Sequence, residues 1–456
     1  MTTRRIAIVG SGQAGLLAAH ALVQAGHEVT LYSDRTADHW LNESRPTGGA
    51  ARFELALQYE RELGLAHWEA VAPRGRGVHL TFCPKPSNRL VTMTGRLEST
   101  YFQAIDLRLQ SHRWMTDLEA AGGRVVIETV DPERLDAIAA QHELVLVATG
   151  RGPLSGLFPR HAERSVYDRP QRKLAMMIVT GAAQGMPGVP FLPVKFNFFA
   201  PFGEVFWAPY YHRDHGATWC MLFEAREGGP LDRFDGCRDG HEVVATAKAA
   251  IAELMPWDAA WAANLELADP NGWLLGAVTP TVREPVARLP SGRVVMPLGD
   301  AAMSLDPVAG QGANLGNKMA RHLAETIAAA PDARFDAGWM TRTFEAFWAD
   351  HGAPTVTFNN VFLEPLTAAG KLLLISQMGS NGLADSSAQR IANAVVENFV
   401  DPRRMTDAFV DPACARALVA ERTGHSWRRQ FLGGASRVGF GQLRRVFGAG
   451  PAHVAR

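Results

Sequence analysis

A glycine-rich segment near the start of the chain has residue types and spacing suited to binding a nucleotide cofactor. Gly10-Ser11-Gly12-Gln13-Ala14-Gly15 has the GxGxxG spacing. The first glycine permits a tight turn, the second lets a pyrophosphate approach the backbone, and the third allows close packing of a helix on a strand. The helix start then offers N–H groups and a positive dipole end to the phosphates. The spacing predicts dinucleotide contacts at Gly10, Gly12, Gln13, Ala14 and Gly15.

The residues around this motif predict the strand–turn–helix–strand frame that it needs. Ile6–Val9 is typical of a buried strand, Leu16–Ala25 favours a helix that stops at Gly26, and Glu28–Tyr32 predicts a second strand. In this frame the motif indicates a dinucleotide-binding βαβ unit. Ser33, Asp34 and Arg35 follow the second strand, where a glutamate usually binds the ribose. Asp34 either binds the ribose or caps a turn, and the sequence leaves both interpretations open.

A second glycine-rich segment follows a short predicted strand, Arg293–Leu298. Gly299 and Asp300 come first, and the string Gly310-Gln311-Gly312-Ala313-Asn314, preceded by Asp306-Pro307, then opens a helix that runs to about Ala329. A helix start can direct its N–H groups at an electron-rich ligand atom. The segment therefore predicts a second point of ligand contact.

Composition bounds the class of protein. The 456 residues include 46 basic and 46 acidic side chains and are 47% hydrophobic, as in a globular protein. The charge balance argues against a nucleic-acid binder that neutralises phosphates. The four cysteines form no CxxC pair, so neither a metal site nor a disulfide is expected. No signal peptide and no run of about 18 apolar residues is evident, so we expect a cytoplasmic enzyme without a membrane span.

The middle of the chain, residues 174–225, alternates like antiparallel strands. Taken singly, each aromatic residue of this segment favours a core position, because aromatic side chains on strands usually pack. As a set they predict the lining of an apolar pocket for an aromatic guest; they are Phe196, Phe198, Phe206, Trp207, Trp219 and Phe223. A helix is predicted over Gln103–Ala120, and residues 318–420 are predicted to be mostly helical. The last 33 residues, from Gly424, hold six arginines and no acidic residue. They predict a frayed basic tail, with docking to a partner as the alternative.

These segments together resemble FAD-dependent aromatic hydroxylases of the glutathione-reductase type, and more narrowly the oxygenase component of two-component styrene/indole monooxygenases. Besides the glycine motifs, the similar strings are Tyr32-Ser33-Asp34-Arg35, Ala104-Ile105-Asp106-Leu107-Arg108, Val147-Ala148-Thr149-Gly150, Asp168-Arg169-Pro170-Gln171-Arg172 and Asn398-Phe399-Val400-Asp401-Pro402. The resemblance extends from about residue 5 to 420. It implies an α/β fold with a Rossmann-like FAD-binding domain, an inserted antiparallel β-sheet substrate domain and a helical C-terminal region.

The resemblance also implies a domain order. The FAD-binding domain would comprise residues 1–170 and 291–330, and the substrate domain residues 171–290. A helical region, 331–423, and the basic tail, 424–456, would follow.

Residue roles follow from the same resemblance. Asp300 would bind the ribityl chain, and Pro307 with Gly310–Asn314 would lie against the isoalloxazine. Arg108 would lie near the FAD, although a solvated position on its helix is an alternative. The full set of expected cofactor contacts is Gly10, Gly12, Gln13, Ala14, Gly15, Ser33, Asp34, Arg35, Arg108, Thr149, Gly150, Gly299, Asp300, Pro307, Gly310, Gln311, Gly312, Ala313 and Asn314.

A loop containing Arg45, Thr47 and Gly48 would approach the flavin ring and the substrate. Similar styrene-active enzymes carry an asparagine in this loop, and its absence here leaves open how the oxygenated flavin and the substrate are held. Arg45 is favoured slightly as a functional residue over its alternative, a simple glycine turn before a helix at Arg52–Leu63. No general acid or base is predicted.

The implied reaction uses FADH2 and O2, through a C4a-hydroperoxide, to epoxidise a small apolar aromatic such as styrene or indole. No second dinucleotide motif appears between Gly150 and Arg293, which favours supply of FADH2 in trans by a separate NADH-dependent flavin reductase. The resemblance also suggests a homodimer. A single-component FAD/NAD(P)H aromatic hydroxylase and a non-catalytic FAD-binding protein stay open as alternatives, whereas a halogenase and a nicotinamide dehydrogenase are less favoured.

Overall fold

A computed structural model of the chain describes residues 3–47, 51–98, 100–150, 152–154 and 156–446, with backbone alone from 440 to 446. The strands are β1 (Arg5–Val9), β2 (Glu28–Ser33), β3 (Gly77–Cys83), β4 (Val91–Arg96), β5 (Arg124–Ile127), β6 (Leu144–Val147), β7 (Lys173–Thr180), β8 (Val194–Phe199), β9 (Gly203–His212), β10 (Gly216–Ala225), β11 (Glu266–Leu267), β12 (Trp273–Ala277), β13 (Thr281–Val282), β14 (Ala287–Arg288), β15 (Val294–Pro297) and β16 (Met303–Ser304).

The helices are α1 (Gln13–Gln24), α2 (Ala37–Asn42), α3 (Glu54–Glu62), α4 (Leu107–Ala120), α5 (Pro132–Gln141), α6 (Gly240–Leu254), α7 (Ala259–Ala262), α8 (Gly312–Ala329), α9 (Ala337–Phe347), α10 (Ala353–Val361), α11 (Ala368–Ser376), α12 (Ser387–Val400), α13 (Asp407–Val410), α14 (Pro412–Thr423) and α15 (Trp427–Val446). Short 3-10 turns cover Gly152–Leu154, Gly299–Ala301, Pro307–Ala309 and Pro402–Arg404, and a π turn covers Trp348–Gly352. None of the helices within the described ranges is both long and apolar enough to span a membrane.

The chain folds into two compact units, each built from three segments. The first unit comprises residues 1–70, 105–170 and 278–353, and the second comprises 71–104, 171–277 and 354–456. This division differs from the expected one. Residues 71–104 lie with the second unit, residues 278–290 and 331–353 lie with the first, and residues 354–456 belong to the second unit instead of forming a separate region and tail. The physical reason for the first difference is strand pairing: β3 lies beside β8 in register from Val78↔Val194 to Cys83↔Phe199.

The first unit contains a six-stranded sheet in the order β14-β15-β6-β1-β2-β5. The pairs β1–β2, β1–β6, β2–β5 and β15–β6 are parallel, and β14 joins antiparallel at the edge. Every residue of β6 and all but the first of β1 are buried, as expected for central strands of a parallel sheet. The predicted βαβ unit is therefore present, and it places the glycine turn at the carboxyl end of β1.

The second unit contains an eight-stranded, mostly antiparallel sheet in the order β11-β7-β10-β9-β8-β3-β4, with β12 also pairing to β7. One face of this sheet packs on α6 through buried side chains that include Trp207 and Phe223 on the sheet and Val243, Ala247 and Ile251 on the helix. The sheet and the Rossmann-like unit together confirm the predicted fold class.

Two helical predictions require correction. The helix predicted over Gln103–Ala120 begins instead at Leu107, because the Asp106 carboxylate accepts the Arg108 N–H and caps the helix. The tail predicted to fray is helical from 427 to 446. Gln430 donates to the Ser376 carbonyl at 2.6 Å and Arg437 to the Met378 carbonyl at 2.6 Å, so α15 is tied to the end of α11. Residues 447–456 lie outside the described part of the chain.

Candidate functional site

The turn between β1 and α1 has the geometry that its glycines predict. Gly10 has φ +119° and would place a Cβ 3.0 Å from the backbone of Ala148 and Thr149. At Gly15 a Cβ would overlap the Gly10 carbonyl oxygen, so only glycine allows α1 to approach the turn this closely. These constraints bring the β1 turn against Ala148 and Thr149, which directly follow β6.

Gly12 has a different setting, since a Cβ there would meet nothing within 4 Å. It is the residue before α1, and the first turn of α1 carries no acidic side chain. The unpaired N–H groups of that turn are therefore available to an anion. The open space at Gly12 fits the diphosphate of a dinucleotide.

The second glycine-rich segment lies beside the first. Gly299 (φ +62°) would place a Cβ 2.9 Å from the Ala14 side chain, and Gly150 would place one 3.1 Å from the Asp300 Cβ. At Gly312, the first residue of α8, a Cβ would lie 3.9 Å from the Asp300 Oδ1. The first turn of α8 also lacks acidic residues. The structure thus gathers two helix starts and one exposed carboxylate, that of Asp300, at one edge of the parallel sheet.

The turn before α8 is held by its own carboxylate. Asp306 is fully buried, and its Oδ1 accepts the Val308 N–H at 3.1 Å, which caps the 3-10 turn that begins at Pro307. Gly310 closes that turn at φ +59°, a conformation that favours glycine. The predicted segment Pro307–Gly310 is therefore a tight connection that sets where α8 begins.

Two predicted contact residues use their side chains inside the protein. The Asn314 amide nitrogen donates to the Ala51 and Gly310 carbonyls at 2.8 Å each, and its oxygen accepts the Phe53 N–H at 2.8 Å. The Gln13 amide donates to Asn317 at 2.7 Å. These bonds join α1, α3 and α8, and both donors and the acceptor of the Asn314 amide are used within the protein.

The strand-end residues Ser33, Asp34 and Arg35 are also bonded to one another. The Ser33 hydroxyl donates to the Arg35 carbonyl at 2.6 Å, and Arg35 donates to both carboxylate oxygens of Asp34 at 3.0 and 2.7 Å. These bonds hold the pKa of the Asp34 carboxyl below its usual range. Asp34 therefore stays ionised and exposed, whereas Ser33 is buried and its hydroxyl proton is donated to the Arg35 carbonyl. Thr36, not Asp34, caps α2.

Arg108 is buried, so its alternative interpretation as a solvated arginine is wrong. Its guanidinium contacts both carboxylate oxygens of Asp106 at distances from 2.6 to 3.1 Å. A position near the FAD stays a prediction. The same holds for the loop at Arg45, which is exposed, and Thr47, which is half-buried; Gly48 lies outside the described residues.

The six aromatic residues predicted to line one pocket lie on two faces of the second sheet. Trp207 and Trp219 contact the Trp261 ring at 4.5 and 5.0 Å between centroids, and with Phe223 they belong to the core under α6. These three therefore occupy core positions, as predicted for each aromatic taken singly, and the pocket predicted for the whole set does not include them. Side chains alternate between the two faces of a sheet along each strand. Phe196 pairs with Phe206, and Lys195 with Trp207, so Phe206 lies on the face of Phe196 and Trp207 lies on the opposite face.

The other three aromatic residues form a cluster that we call the phenylalanine face. Phe196 stacks on Phe206 at 5.5 Å and lies 6.4 Å from Phe198, measured between ring centroids. Phe82 of β3 stacks on Phe198 at 5.8 Å, and Phe362 lies 6.3 Å from Phe196. The last two rings were missed from the sequence, because Phe82 reaches the face only through the pairing of β3 with β8, and Phe362 comes from a distant segment just after α10. Such a face suits a flat apolar ring.

Sequence reasoning also missed two residues near the glycine motifs. Arg283 donates to the Asp300 carbonyl at 3.0 Å, and burial lowers the pKa of its guanidinium. Trp40 donates its indole N–H to Ser11 in the glycine turn at 3.0 Å. The strand end Ser33-Asp34-Arg35 could have drawn attention to the following helix, but nothing in the sequence pairs Trp40 with Ser11.

A His–Asp group stands at the tip of the β9–β10 hairpin, where single ligand atoms of His212, Asp214 and Asp269 lie within 4.8 Å of one another. The His212 Nδ1 accepts the Asp214 N–H at 3.1 Å, so the proton of the neutral ring is on Nε2, which lies 3.6 Å from Asp269. Both ring nitrogens are thus turned to protein groups. The arrangement suits a hydrogen-bonded hairpin tip better than a metal site.

Comparisons with known proteins agree with the two units. A family model of the styrene monooxygenase A substrate binding domain matches residues 150–260, and an NAD(P)-binding Rossmann-like domain model matches residues 8–68. The chain is 28% identical to Styrene monooxygenase StyA of Pseudomonas fluorescens over 418 residues, which cover 90% of this chain and 96% of that protein. A protein of the same name from a Pseudomonas species is 28% identical over 437 residues, with 94% and 98% covered.

Solved structures share the fold at low identity. A flavin-dependent brominase, Bmp2, has a TM-score of 0.59 at 16% identity and covers 92% of this chain and 99% of its own. A flavoprotein/dehydrogenase from Cytophaga hutchinsonii has a TM-score of 0.63 at 11% identity, with 92% and 99% covered. At these identities the likeness shows the fold alone.

The predicted enzyme class, an FAD-dependent monooxygenase, is confirmed by these matches together with the fold. Within that class, the predicted resemblance to the oxygenase component of styrene monooxygenases is confirmed over nearly the whole chain.

Proposed function

We propose that this chain is the oxygenase of a two-component system, which accepts reduced FAD from a separate NADH-dependent flavin reductase and epoxidises a small apolar aromatic alkene such as styrene or indole. The observation that best supports an aromatic substrate is the phenylalanine face. Three of its rings, Phe196, Phe198 and Phe206, lie on β8 and β9, inside the 150–260 range that matches the styrene monooxygenase substrate domain. Its rings offer an aromatic guest stacking contact and exclude water from it.

The glycine motifs of the first unit fit an FAD. The space at Gly12 and the start of α1 suit the diphosphate, Asp300 can accept hydrogen bonds from ribityl hydroxyls, and the N–H groups at the start of α8 suit an electron-rich edge of the ring. When bound in reduced form, flavin supplies two electrons to O2, so that one oxygen atom enters the substrate double bond and the other leaves as water. The protein binds, orients and shields; it needs no side-chain base for this transfer.

Supply of electrons from a separate protein is supported by the sequence between Gly150 and Arg293, which carries no second GxGxxG motif. A dimer also remains a proposal. The main alternative is a single-component hydroxylase that reduces its own flavin with NAD(P)H.

The test supplies photoreduced FAD, O2 and styrene or indole to the purified chain without any reductase, and quantifies the epoxide or its products by chromatography. Product formed under these conditions, and none with NADH or NADPH alone, is expected. Rapid bleaching of bound flavin by NAD(P)H would instead identify a single-component hydroxylase. Flavin binding without product from either substrate would contradict the proposed substrate class.

Substitutions in the phenylalanine face test whether it binds the substrate. Phe196→Leu and Phe206→Leu are expected to raise KM for styrene about tenfold, because each removes a stacking ring. Phe335→Leu removes a buried ring that contacts Trp339 in the first unit and serves as the control. An unchanged KM in both face variants would place the substrate elsewhere.

A further inference from the structure

The turn that follows α10 is bonded to the second sheet by two arginines that the proposed function does not use. Arg172, the residue before β7, donates to the Phe362 carbonyl at 3.3 Å. Arg226, the residue after β10, donates to the Leu363 carbonyl at 2.9 Å. Because β7 and β10 pair in an antiparallel register that ends at Ala225↔Lys173, the two arginines follow the same end of this strand pair. They bind two consecutive carbonyls of the turn.

The Arg172 guanidinium is itself held by a buried carboxylate. It donates to both carboxylate oxygens of Glu204 on β9, at 2.8 and 3.0 Å, and each of the two side chains is only 2% exposed. Such a bidentate pair has a defined orientation. Glu204 stands two residues before Phe206 on the same strand, so their side chains lie on the same face of the sheet. The ion pair therefore belongs to the sheet face that carries the phenylalanine rings.

Phe362 differs from the other rings of the phenylalanine face in how it is held. Phe82, Phe196, Phe198 and Phe206 lie on strands, and the neighbouring pairs among them are within 25° of parallel. Phe362 lies outside the strands, and its ring is tilted by 54° to that of Phe196 at 6.3 Å between centroids. No sheet ladder fixes its backbone, so the position of this ring depends on how its turn is anchored.

We propose that Arg172 and Arg226 are positioning residues, which hold the turn after α10 so that the Phe362 ring covers the phenylalanine face and fits the aromatic substrate. Neither arginine needs to contact the substrate. A ring that is already held in place loses little freedom when a guest packs on it, and such preorganisation increases affinity. This inference rests on the proposed use of the phenylalanine face and adds to it the groups that fix its one ring outside the strands.

The test measures binding of styrene and does not require turnover. The dissociation constant is obtained by equilibrium dialysis with the full-length protein saturated with oxidised FAD. Arg226→Met is the first variant, because Arg172→Met alone would leave the buried Glu204 carboxylate without its counter-ion. Styrene affinity is expected to fall about tenfold in Phe362→Leu and about fivefold in Arg226→Met.

The double variant separates positioning from a general loss of stability. If Arg226 acts through the Phe362 ring, Arg226→Met has nothing further to change once that ring is removed. The variant with both substitutions is therefore expected to bind styrene as Phe362→Leu does, whereas independent effects would multiply.

A second route removes the ion pair as a whole. Arg172→Met combined with Glu204→Met leaves no buried charge unpaired, and it is expected to weaken styrene binding as Arg226→Met does. Arg390→Met is the matched control, because Arg390 also donates to a backbone carbonyl of the second unit, that of Arg422 at 2.8 Å. Its styrene affinity is expected to equal that of the wild type.

Two results would overturn the inference alone: wild-type affinity in Arg226→Met while Phe362→Leu binds weakly, or losses that multiply in the double variant. A wild-type protein that does not bind styrene, or unchanged affinity in Phe362→Leu and Phe196→Leu together, would overturn the proposed substrate face and the inference with it. The two failures therefore give different patterns across the same set of variants.

Discussion

Gly12 and Gly15 stand three residues apart in one motif, yet an added methyl group meets different surroundings at the two positions. At Gly15 it overlaps the Gly10 carbonyl oxygen, whereas at Gly12, where φ is −76°, it meets open space. Packing of α1 against the turn therefore requires glycine at position 15, whereas glycine at position 12 leaves room for a ligand. Within this six-residue motif, Gly15 serves the stability of the fold and Gly12 serves ligand binding.

Gly12→Ala is therefore expected to change the free energy of unfolding by no more than about 1 kcal/mol while lowering FAD affinity at least tenfold. Gly15→Ala is expected to destabilise the fold, since α1 must move off the turn. Urea denaturation and FAD titration of both variants check this. Unchanged FAD affinity in a folded Gly12→Ala protein would mean that the diphosphate lies elsewhere.

His20 gives the folded protein a dependence on pH. It lies on α1, is buried, and its Nε2 lies 2.8 Å from the Trp114 carbonyl. Burial lowers the pKa of its imidazole below the ordinary 6.5. As pH falls below about 6.5, the unfolded chain binds a proton at His20 more readily than the folded chain does. The free energy of unfolding therefore decreases as pH falls through this range, and His20 causes no pH dependence above it.

The expected outcome is that His20→Gln, which keeps a hydrogen-bond donor, loses less stability than the wild type when urea unfolding is compared at pH 7.5 and pH 5.5. His241→Gln, a change at an exposed histidine, is the control and should follow the wild type. Identical pH dependence in all three proteins would contradict the role given to His20.

At the scale of elements, a buried ion pair joins the helices that carry the site. Arg52 donates to Glu60 of α3 at 2.5 Å, and both are almost fully buried. The same Glu60 oxygen accepts from Asn317 of α8 at 3.1 Å, and Asn317 accepts from Gln13 of α1. The starts of α1 and α8 are thereby fixed relative to α3.

Glu60→Gln is expected to cost about 3–5 kcal/mol of unfolding free energy, because it leaves the Arg52 charge buried without a counter-ion. Glu62→Gln, two residues along the same helix in an exposed pair with Arg321, should cost no more than about 1 kcal/mol. Chemical denaturation of the two variants makes the comparison. Equal small effects would show that the pair contributes little to stability.

The C-terminal helix α15 offers a neighbouring-residue test of its docking. At Gly433 a Cβ meets nothing within 4 Å, whereas at Gly434 it overlaps the Ile375 carbonyl oxygen of α11. Gly433→Ala should stabilise the helix by up to about 1 kcal/mol, and Gly434→Ala should free it from α11 and speed tryptic cleavage at its arginines. Equal cleavage rates in the two variants would contradict the observed packing.

The elements that sequence reasoning predicted well are the local ones. The βαβ frame depends on Ile6–Val9, Gly10 and Glu28–Tyr32, which lie within one short stretch. The pairing of β3 with β8 spans more than a hundred residues, so Phe82 could not be assigned to the phenylalanine face. The division of the aromatic residues between two faces could have been read from strand alternation, because the sequence predictions already placed the strands.

At the candidate site, too, local features could be predicted from the sequence and long-range contacts could not. The glycines were found because their spacing reflects backbone geometry, whereas the engagement of Asn314 with Ala51 and Phe53 joins residues about 260 positions apart. Docking of α15 through Gln430 and Ser376 is equally non-local, so a run rich in glycine and arginine was predicted to fray. The composition of this segment suggested flexibility, but the contacts of α15 with residues at the end of α11 keep it helical.

On the scale of the whole molecule, the two units are interleaved along the chain, and each is built from three segments. The parallel sheet of the first unit holds both glycine motifs at strand ends, and the second unit supplies an aromatic face from strands that match a styrene monooxygenase substrate domain. On these features we propose that reduced FAD is supplied by a separate protein and that an oxygen atom is transferred to an aromatic alkene.

The most direct test follows the oxygen atom. The wild-type protein is mixed with photoreduced FAD and styrene under ¹⁸O2 in ordinary water, and the product is analysed by mass spectrometry. We expect styrene oxide carrying one ¹⁸O atom, in an amount that rises with the reduced FAD supplied and that does not depend on NAD(P)H. Reoxidation of the flavin with only hydrogen peroxide formed, or an epoxide whose oxygen comes from water, would contradict this proposal.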